Sequence, residues 1–163
     1  MGQQQLLLLV LATVIVGLAT VAGIQAFDEN RNQAAADALQ QKAMAITSDI
    51  KGLDAKPQQM GGLPSKFTNS SESEIASRLG FENTKNDGTG TYYVPVSGAG
   101  EGSGTPSTAN CQMNNVKESQ ISVVCSGQAE FSSLEFYGVY DQSAESGNQI
   151  KVQSSDPSGS SGS

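Results

Sequence analysis

The sequence predicts an α+β fold in which one long amino-terminal helix packs against a small antiparallel sheet. Two observations predict the helix: an uncharged apolar run extends from Leu6 to Ile24, and a proline-free amphipathic pattern continues from there to Gly52. Several short strand-like runs after residue 90, separated by turn residues, predict the sheet. We therefore divide the chain into a helix at 1–52, a globular α+β head at 53–153 and a flexible Ser/Gly-rich tail at 154–163.

The apolar run is long enough to cross a bilayer. It comprises 19 residues, which span about 28 Å at the rise of an α-helix. It is interpretable as a secretory signal peptide, as a transmembrane anchor, or as the front of a chain from which a basic leader has been removed. The first charged residue is Asp28 and the first basic residue is Arg31. An uncharged start is natural only in the third interpretation, and we expect 1–27 to be the half of the helix that lies in a membrane or a filament core.

Two glycines, Gly17 and Gly23, interrupt this apolar run. Each weakens a helix by about 1 kcal/mol relative to alanine, but a small residue also lets neighbouring helices approach closely. Either each glycine is a packing notch, or the two mark a place where the helix can stretch when its surroundings change.

An amphipathic pattern follows the apolar run. Apolar residues recur at spacings of three and four and so share one face of a helix: Ala35, Leu39, Ala43, Ile46, Ile50 and Leu53. Gly52 is a helix-stop signal, and Pro57 follows it. The complete helix would be about 75 Å long, which a domain of this size cannot bury, so half of it is expected to leave the domain.

The head is predicted to hold a short helix and a meander of four or five strands. Ser71 and Glu74 have the spacing of a capping box, and Gly80 would close the short helix that they begin. The strand-like runs are 91–96, 111–116, 119–126, 134–140 and 149–153. Pro95 predicts an edge strand, and the runs on either side of Lys117 and Glu118 predict a hairpin.

Composition excludes several classes of function. The net charge is −7, so nucleic-acid binding, which requires clustered basic residues, is not expected. The chain has no histidine, which excludes Ser-His-Asp and Cys-His catalytic sites and the usual imidazole zinc site. We expect no enzyme, no catalytic residue, no metal and no cofactor.

Cys111 and Cys125, the two cysteines, lie 14 positions apart. In an exported protein they would form a disulfide at the open end of the predicted hairpin, and closing such a loop contributes on the order of 3 kcal/mol. Two buried free thiols in a reducing compartment are the alternative. Asn69-Ser70-Ser71 matches the acceptor motif for N-glycosylation, which makes Asn69 a candidate modification site.

With Met1 as the first residue of a processed chain, an uncharged stretch from Gly2 to Ile24, a helix ending near Gly52 and a polar head with one disulfide, the chain resembles the type IV pilins and their filament superfamily. The resemblance implies a subunit that waits in the inner membrane and is then assembled into an extracellular helical homopolymer. It also implies a prepilin peptidase and pilus assembly machinery as partners. The family typically has a glutamate at the fifth position, where this chain has Gln5.

The resemblance also implies which residues form the filament core. These are Met1, Gln5, Leu6, Leu7, Leu8, Leu9, Val10, Leu11, Val14, Ile15, Gly17, Leu18, Val21, Gly23 and Ile24. Two other functions stay open: a type II secretion pseudopilin or minor pilin of the same fold, and a membrane-anchored extracellular binding module that never polymerises. The role of such a filament, in adhesion, motility, DNA uptake or biofilm, does not follow from the sequence.

Overall fold

The computed structural model describes residues 2–83, 92–99 and 109–154, and the chain forms two compact units, Met1–Ala34 and Ala35–Ser163. The α+β class is as predicted. The helices are α1 (Gly2–Asp54) and α2 (Glu72–Arg78), and 3-10 turns lie at Gln58–Met60, Phe67–Asn69 and Ala129–Phe131. The strands are β1 (Glu82–Asn83), β2 (Tyr92–Pro95), β3 (Asn110–Val116), β4 (Gln120–Ser126), β5 (Glu135–Asp141) and β6 (Ile150–Gln153).

The part of α1 that belongs to the second unit buries one face against the sheet. The buried residues are Ala35, Leu39, Ala43, Ile46, Thr47 and Ile50, and Leu53 is half-buried. All the predicted apolar positions thus lie on the face that was expected, since a 3.6-residue period brings them into one stripe. Thr47 was not predicted. It enters the core because its hydroxyl donates to the Ala43 carbonyl oxygen, 2.9 Å away in the preceding turn.

Gly138 in β5 sets how closely α1 approaches the sheet. A Cβ atom at this position would lie 2.8 Å from Thr47 Cγ2 and 2.9 Å from the Ala43 carbonyl oxygen. Those distances are shorter than van der Waals contact, so only a glycine permits the observed packing. The small residues Ala43 and Gly138 therefore form the point of closest contact between helix and strand.

The helix α1 ends at Asp54, two residues after the predicted stop signal Gly52, because tertiary contacts stabilise one more half-turn. Leu53 packs against the core, and its carbonyl oxygen accepts from the backbone N–H of Leu63 at 3.2 Å. Asp54 accepts two side-chain hydrogen bonds, from the Tyr140 hydroxyl at 2.6 Å and from Gln142 Nε2 at 2.9 Å. These contacts outweigh the cost of about 1 kcal/mol for a glycine in a helix.

The sheet is a six-stranded antiparallel meander whose spatial order follows the order in the chain. The predicted hairpin is confirmed as β3 and β4, joined through Lys117 to Ser119, with an irregular register between Met113 and Asn115. The short strand β1 was not predicted, since two residues carry no detectable period. It pairs only with Tyr92 and Tyr93. The edge prediction for β2 is therefore wrong, although Pro95 lies beyond this pairing, where its missing N–H costs nothing.

The short helix α2 begins as predicted. Ser71 is its N-cap residue, and the Ser71 hydroxyl oxygen accepts from the backbone N–H of Glu74 at 3.2 Å. Arg78, in its last turn, reaches back to the Glu74 carboxylate at 2.6 Å and to the Gly62 carbonyl oxygen at 2.5 Å. The helix therefore fastens the loop that follows α1 to the head.

Candidate assembly segment

The residues expected to form a filament core lie in the first unit, on α1. We call Leu6–Ile24 the apolar segment. Every residue in it is exposed except Gly23, and its large side chains are exposed on all sides of the helix, as the values of 67 % for Leu6 and 68 % for Leu18 show. Twelve large apolar side chains are exposed there: Leu6, Leu7, Leu8, Leu9, Val10, Leu11, Val14, Ile15, Val16, Leu18, Val21 and Ile24.

The few polar side chains of the apolar segment are satisfied within the helix itself. The Thr13 hydroxyl donates to the Val10 carbonyl oxygen at 2.8 Å, and the Thr20 hydroxyl donates to the Val16 carbonyl oxygen at the same distance. The backbone groups within the segment bond along the helix. The largest free-energy penalty for leaving water comes from burying an unpaired polar group. This penalty is small for a segment that contains no unsatisfied donor.

The helix is continuous through both glycines. Gly17 lies between Thr13 and Thr20, and its carbonyl oxygen also accepts from the Thr20 hydroxyl at 3.0 Å. A Cβ atom at Gly17 or at Gly23 would meet nothing within 4 Å. None of the contacts among the described residues therefore requires a glycine at either position. Gln5 lies exposed in the first turns of α1, and Met1 lies outside the described residues.

By length and composition, α1 can cross a membrane. Its most apolar window of 18 residues has a mean hydropathy of 2.7, and none of that window is buried within the chain. A signal sequence near the amino terminus has the same properties. The coarse prediction, a membrane-capable amino-terminal helix, is thus supported.

The predicted disulfide joins Cys111 in β3 to Cys125 in β4. The two residues are directly opposite in the ladder, with Cα atoms 4.0 Å apart, and neither is exposed to solvent. The bond lies at the end of the hairpin away from its turn, as expected. It faces the core side of the sheet among Ile121 and Val123, where it links two strands that the backbone ladder already joins.

Asn69, the candidate glycosylation site, is exposed at the end of the second 3-10 turn. Its neighbour Ser71 in the motif is occupied as the cap of α2. The motif is therefore accessible at the asparagine, and whether it is modified stays a prediction. The predicted tail at 154–163 lies outside the described residues except for Ser154.

Sequence reasoning missed several groups that the fold brings together. Asp54, Tyr140 and Gln142 form a polar cluster at the end of α1. Burial raises the pKa of the Tyr140 hydroxyl, and the Asp54 carboxylate raises it further, because both favour the neutral phenol. Tyr140 and Gln142 lie 86 and 88 positions after Asp54 in the chain, so no local sequence pattern identifies the cluster. Within 2–83, 92–99 and 109–154, no group of three or more acidic or sulfur ligands could hold a metal.

Comparisons with models of protein families, with curated proteins and with solved structures find no match to this chain. A long apolar amino-terminal helix, a small antiparallel sheet and one disulfide are together compatible with a pilin-like fold.

Proposed function

We propose that the chain is the structural subunit of an extracellular type IV pilus-like filament, which polymerises through the apolar segment. The observation that carries the proposal is the exposure of twelve large apolar side chains on a helix with no charge before Asp28. Moving one such side chain out of water contributes about 1.5–3 kcal/mol. The twelve together outweigh the stability of a typical domain, about 5–15 kcal/mol. The segment therefore needs a permanent apolar environment.

Copies of the same helix supply that environment as well as lipid does. An apolar helix gains little in lipid from the hydrophobic effect alone, so close packing decides whether helices associate. Gly17 and Gly23 remove side-chain bulk where neighbouring helices would approach. No charged residue lies between Gly2 and Phe27, so no charge in this stretch opposes packing against other apolar helices. These features favour a segment that leaves lipid for a bundle of its own kind.

The proposal includes a path as well as an end state. The subunit would be held in the inner membrane by the apolar segment, with the head outside, where the Cys111–Cys125 bond forms under oxidising conditions. A prepilin peptidase and a pilus assembly machine would then act on it, in keeping with the resemblance to pilins. A head-to-tail contact that does not close on itself extends into a helical fibre.

The test is the composition of fibres sheared from cells that express the chain. We expect negative-stain microscopy to show fibres and mass spectrometry to identify this chain in them. Leu8→Asp should abolish the fibres, because it places a charge among apolar neighbours. Ala45→Asp is the matched control, since Ala45 is exposed on the second part of the same helix, and it should leave fibres intact.

Two results would overturn the proposal. The first is a chain found only as a detergent-soluble monomer in every growth condition, which would establish the membrane-anchored module instead. The second is normal fibres from Leu8→Asp at normal protein level.

A further inference from the structure

Met60 is the most exposed large apolar side chain of the chain's described residues, at 78 %, and its turn holds it in place. The turn at Gln58–Met60 is closed by hydrogen bonds from the N–H of Met60 and of Gly62 to the Pro57 carbonyl oxygen, at 2.9 and 3.1 Å. Gly61, at a φ of 85°, lies in the left-handed region, which favours glycine. Exposed single apolar residues are common, but here the backbone presents one at the tip of an ordered turn.

Two further contacts make this turn rigid. A Cβ atom on Gly62 would lie 1.9 Å from the Lys56 carbonyl oxygen, so the chain is packed tightly against itself there. Arg78 Nη1 donates to the carbonyl oxygens of Gly61, at 3.3 Å, and Gly62, at 2.5 Å. The backbone around Met60 is thus already ordered, and it loses little further conformational entropy if Met60 binds a partner.

A groove of about 530 Å³ lies elsewhere on the second unit, between α1 and the β5–β6 end of the sheet. The described residues that line it are Gln40, Met44, Phe136, Val152, Gln153 and Ser154. Met44 is 48 % exposed, so part of this residue is available to a partner. Methionine side chains adapt to irregular gaps and make favourable contacts with aromatic rings, and here Phe136 supplies the ring.

Charge indicates what can occupy this groove. Two copies of a chain with a net charge of −7 repel one another, so they approach best where the facing surfaces are neutral or opposite. The described residues that line the groove are neutral, and the exposed Asp37 lies on the same helix face as Gln40 and Met44, one turn before Gln40. The exposed Lys56 lies four positions before Met60. A copy that inserts Met60 would bring a basic residue towards an acidic rim.

We propose that Met60 of one copy seats in the groove beside Met44 of the next copy. This inference rests on the proposed function and deepens it by naming a contact between heads. Ten helical residues, about 15 Å of rise, separate Met44 from the end of α1 at Asp54, beyond which Met60 lies. The turn that carries Met60 and the groove beside Met44 are different surfaces of the chain. The contact is therefore heterologous and repeats from copy to copy without closing.

The experiment pairs two engineered cysteines in sheared fibres under mild oxidation. Met60→Cys with Gln40→Cys should give a ladder of covalent oligomers on non-reducing gels, because Gln40 lines the groove. Met60→Cys with Ala45→Cys is the matched control: Ala45 is also exposed but points about 140° away from Gln40 and about 100° away from Met44 around the helix, and the ladder should be lost. The native cysteines are buried and bonded to each other. Variants that carry only one engineered cysteine measure any disulfide exchange between that cysteine and the native pair.

A second pair of variants covers the case in which the cysteine variants do not assemble. Lys56→Glu should lower fibre yield, and adding Asp37→Lys should restore it. Fibres that form without a ladder at Gln40, equal ladders at Gln40 and Ala45, or a yield that Asp37→Lys does not restore would each overturn the Met60 contact and leave the proposed function standing. Absence of fibres from the unaltered chain would instead overturn the proposed function.

Discussion

The two parts of α1 differ in whether the chain buries their apolar side chains. Between Ala35 and Ile50 one stripe of apolar residues is buried against the sheet, and it consists of Ala35, Leu39, Ala43, Ile46 and Ile50. Between Leu6 and Ile24 they occupy the whole circumference, and the large ones are all exposed. A stripe can be buried by one surface of the same chain, whereas a helix that is apolar all round needs partners on every side. The pattern around the helix, more than its hydrophobicity, indicates whether its partner lies within the chain or outside it.

The largest expected difference between the two parts comes from matched leucine truncations. Leu39 is fully buried, so Leu39→Ala should lower the free energy of unfolding of the second unit by about 2–5 kcal/mol through lost burial and a cavity. Leu8→Ala should change it by less than about 0.5 kcal/mol. The measurement is urea denaturation of the detergent-solubilised chain, followed by near-UV circular dichroism, because all four tyrosines belong to the second unit. Equal losses for both variants would break the comparison.

A smaller effect is expected at the point of closest contact between helix and sheet. Gly138→Ala forces a Cβ atom against Thr47 and Ala43, and should cost about 1–3 kcal/mol of the free energy of unfolding. Gly52→Ala is the control within α1, since a Cβ atom there meets nothing within 4 Å. It should stabilise the helix by up to about 1 kcal/mol. Thermal and urea denaturation of both variants would check the opposite signs, and a neutral Gly138→Ala would show that the contact yields without cost.

Much of this architecture could be predicted because it depends on local period and spacing. The 3.6-residue stripe identified the buried face of α1, and Ser71 and Glu74 identified the start of α2. The disulfide of Cys111 and Cys125 was predicted because the apolar segment indicates export, with free thiols as the alternative. What was missed depends on contacts between distant residues. Thr47 is polar, and only its bond to the preceding turn lets it replace an apolar residue. The extension of α1 past Gly52 requires a tyrosine from β5, which no local rule connects to Asp54.

The candidate assembly segment could be predicted in its extent but not in its contacts. Its length and lack of charge are visible in the sequence, whereas the internal hydrogen bonds of Thr13 and Thr20 required the helix geometry. Met60 gave no signal at all, because the role that we propose for it depends on the turn that exposes it and on a groove built by residues far away in the chain. A single methionine between two glutamines and two glycines is unremarkable until its surroundings are known.

The smallest expected effect concerns the polar cluster that ends α1. Asp54→Asn keeps an oxygen that can accept from the Tyr140 hydroxyl but removes the charge, and hydrogen bonds to charged groups are about twice as strong as neutral ones. The loss should be about 1 kcal/mol of the free energy of unfolding. Asp49→Asn, exposed one and a half turns earlier, should change it by less than half as much. Asp54→Asn should also lower the pKa of Tyr140, because this substitution removes the carboxylate that raises it. Spectrophotometric titration of the tyrosines measures that shift, and a Tyr140 that titrates unchanged in Asp54→Asn would show that burial alone keeps its phenol neutral.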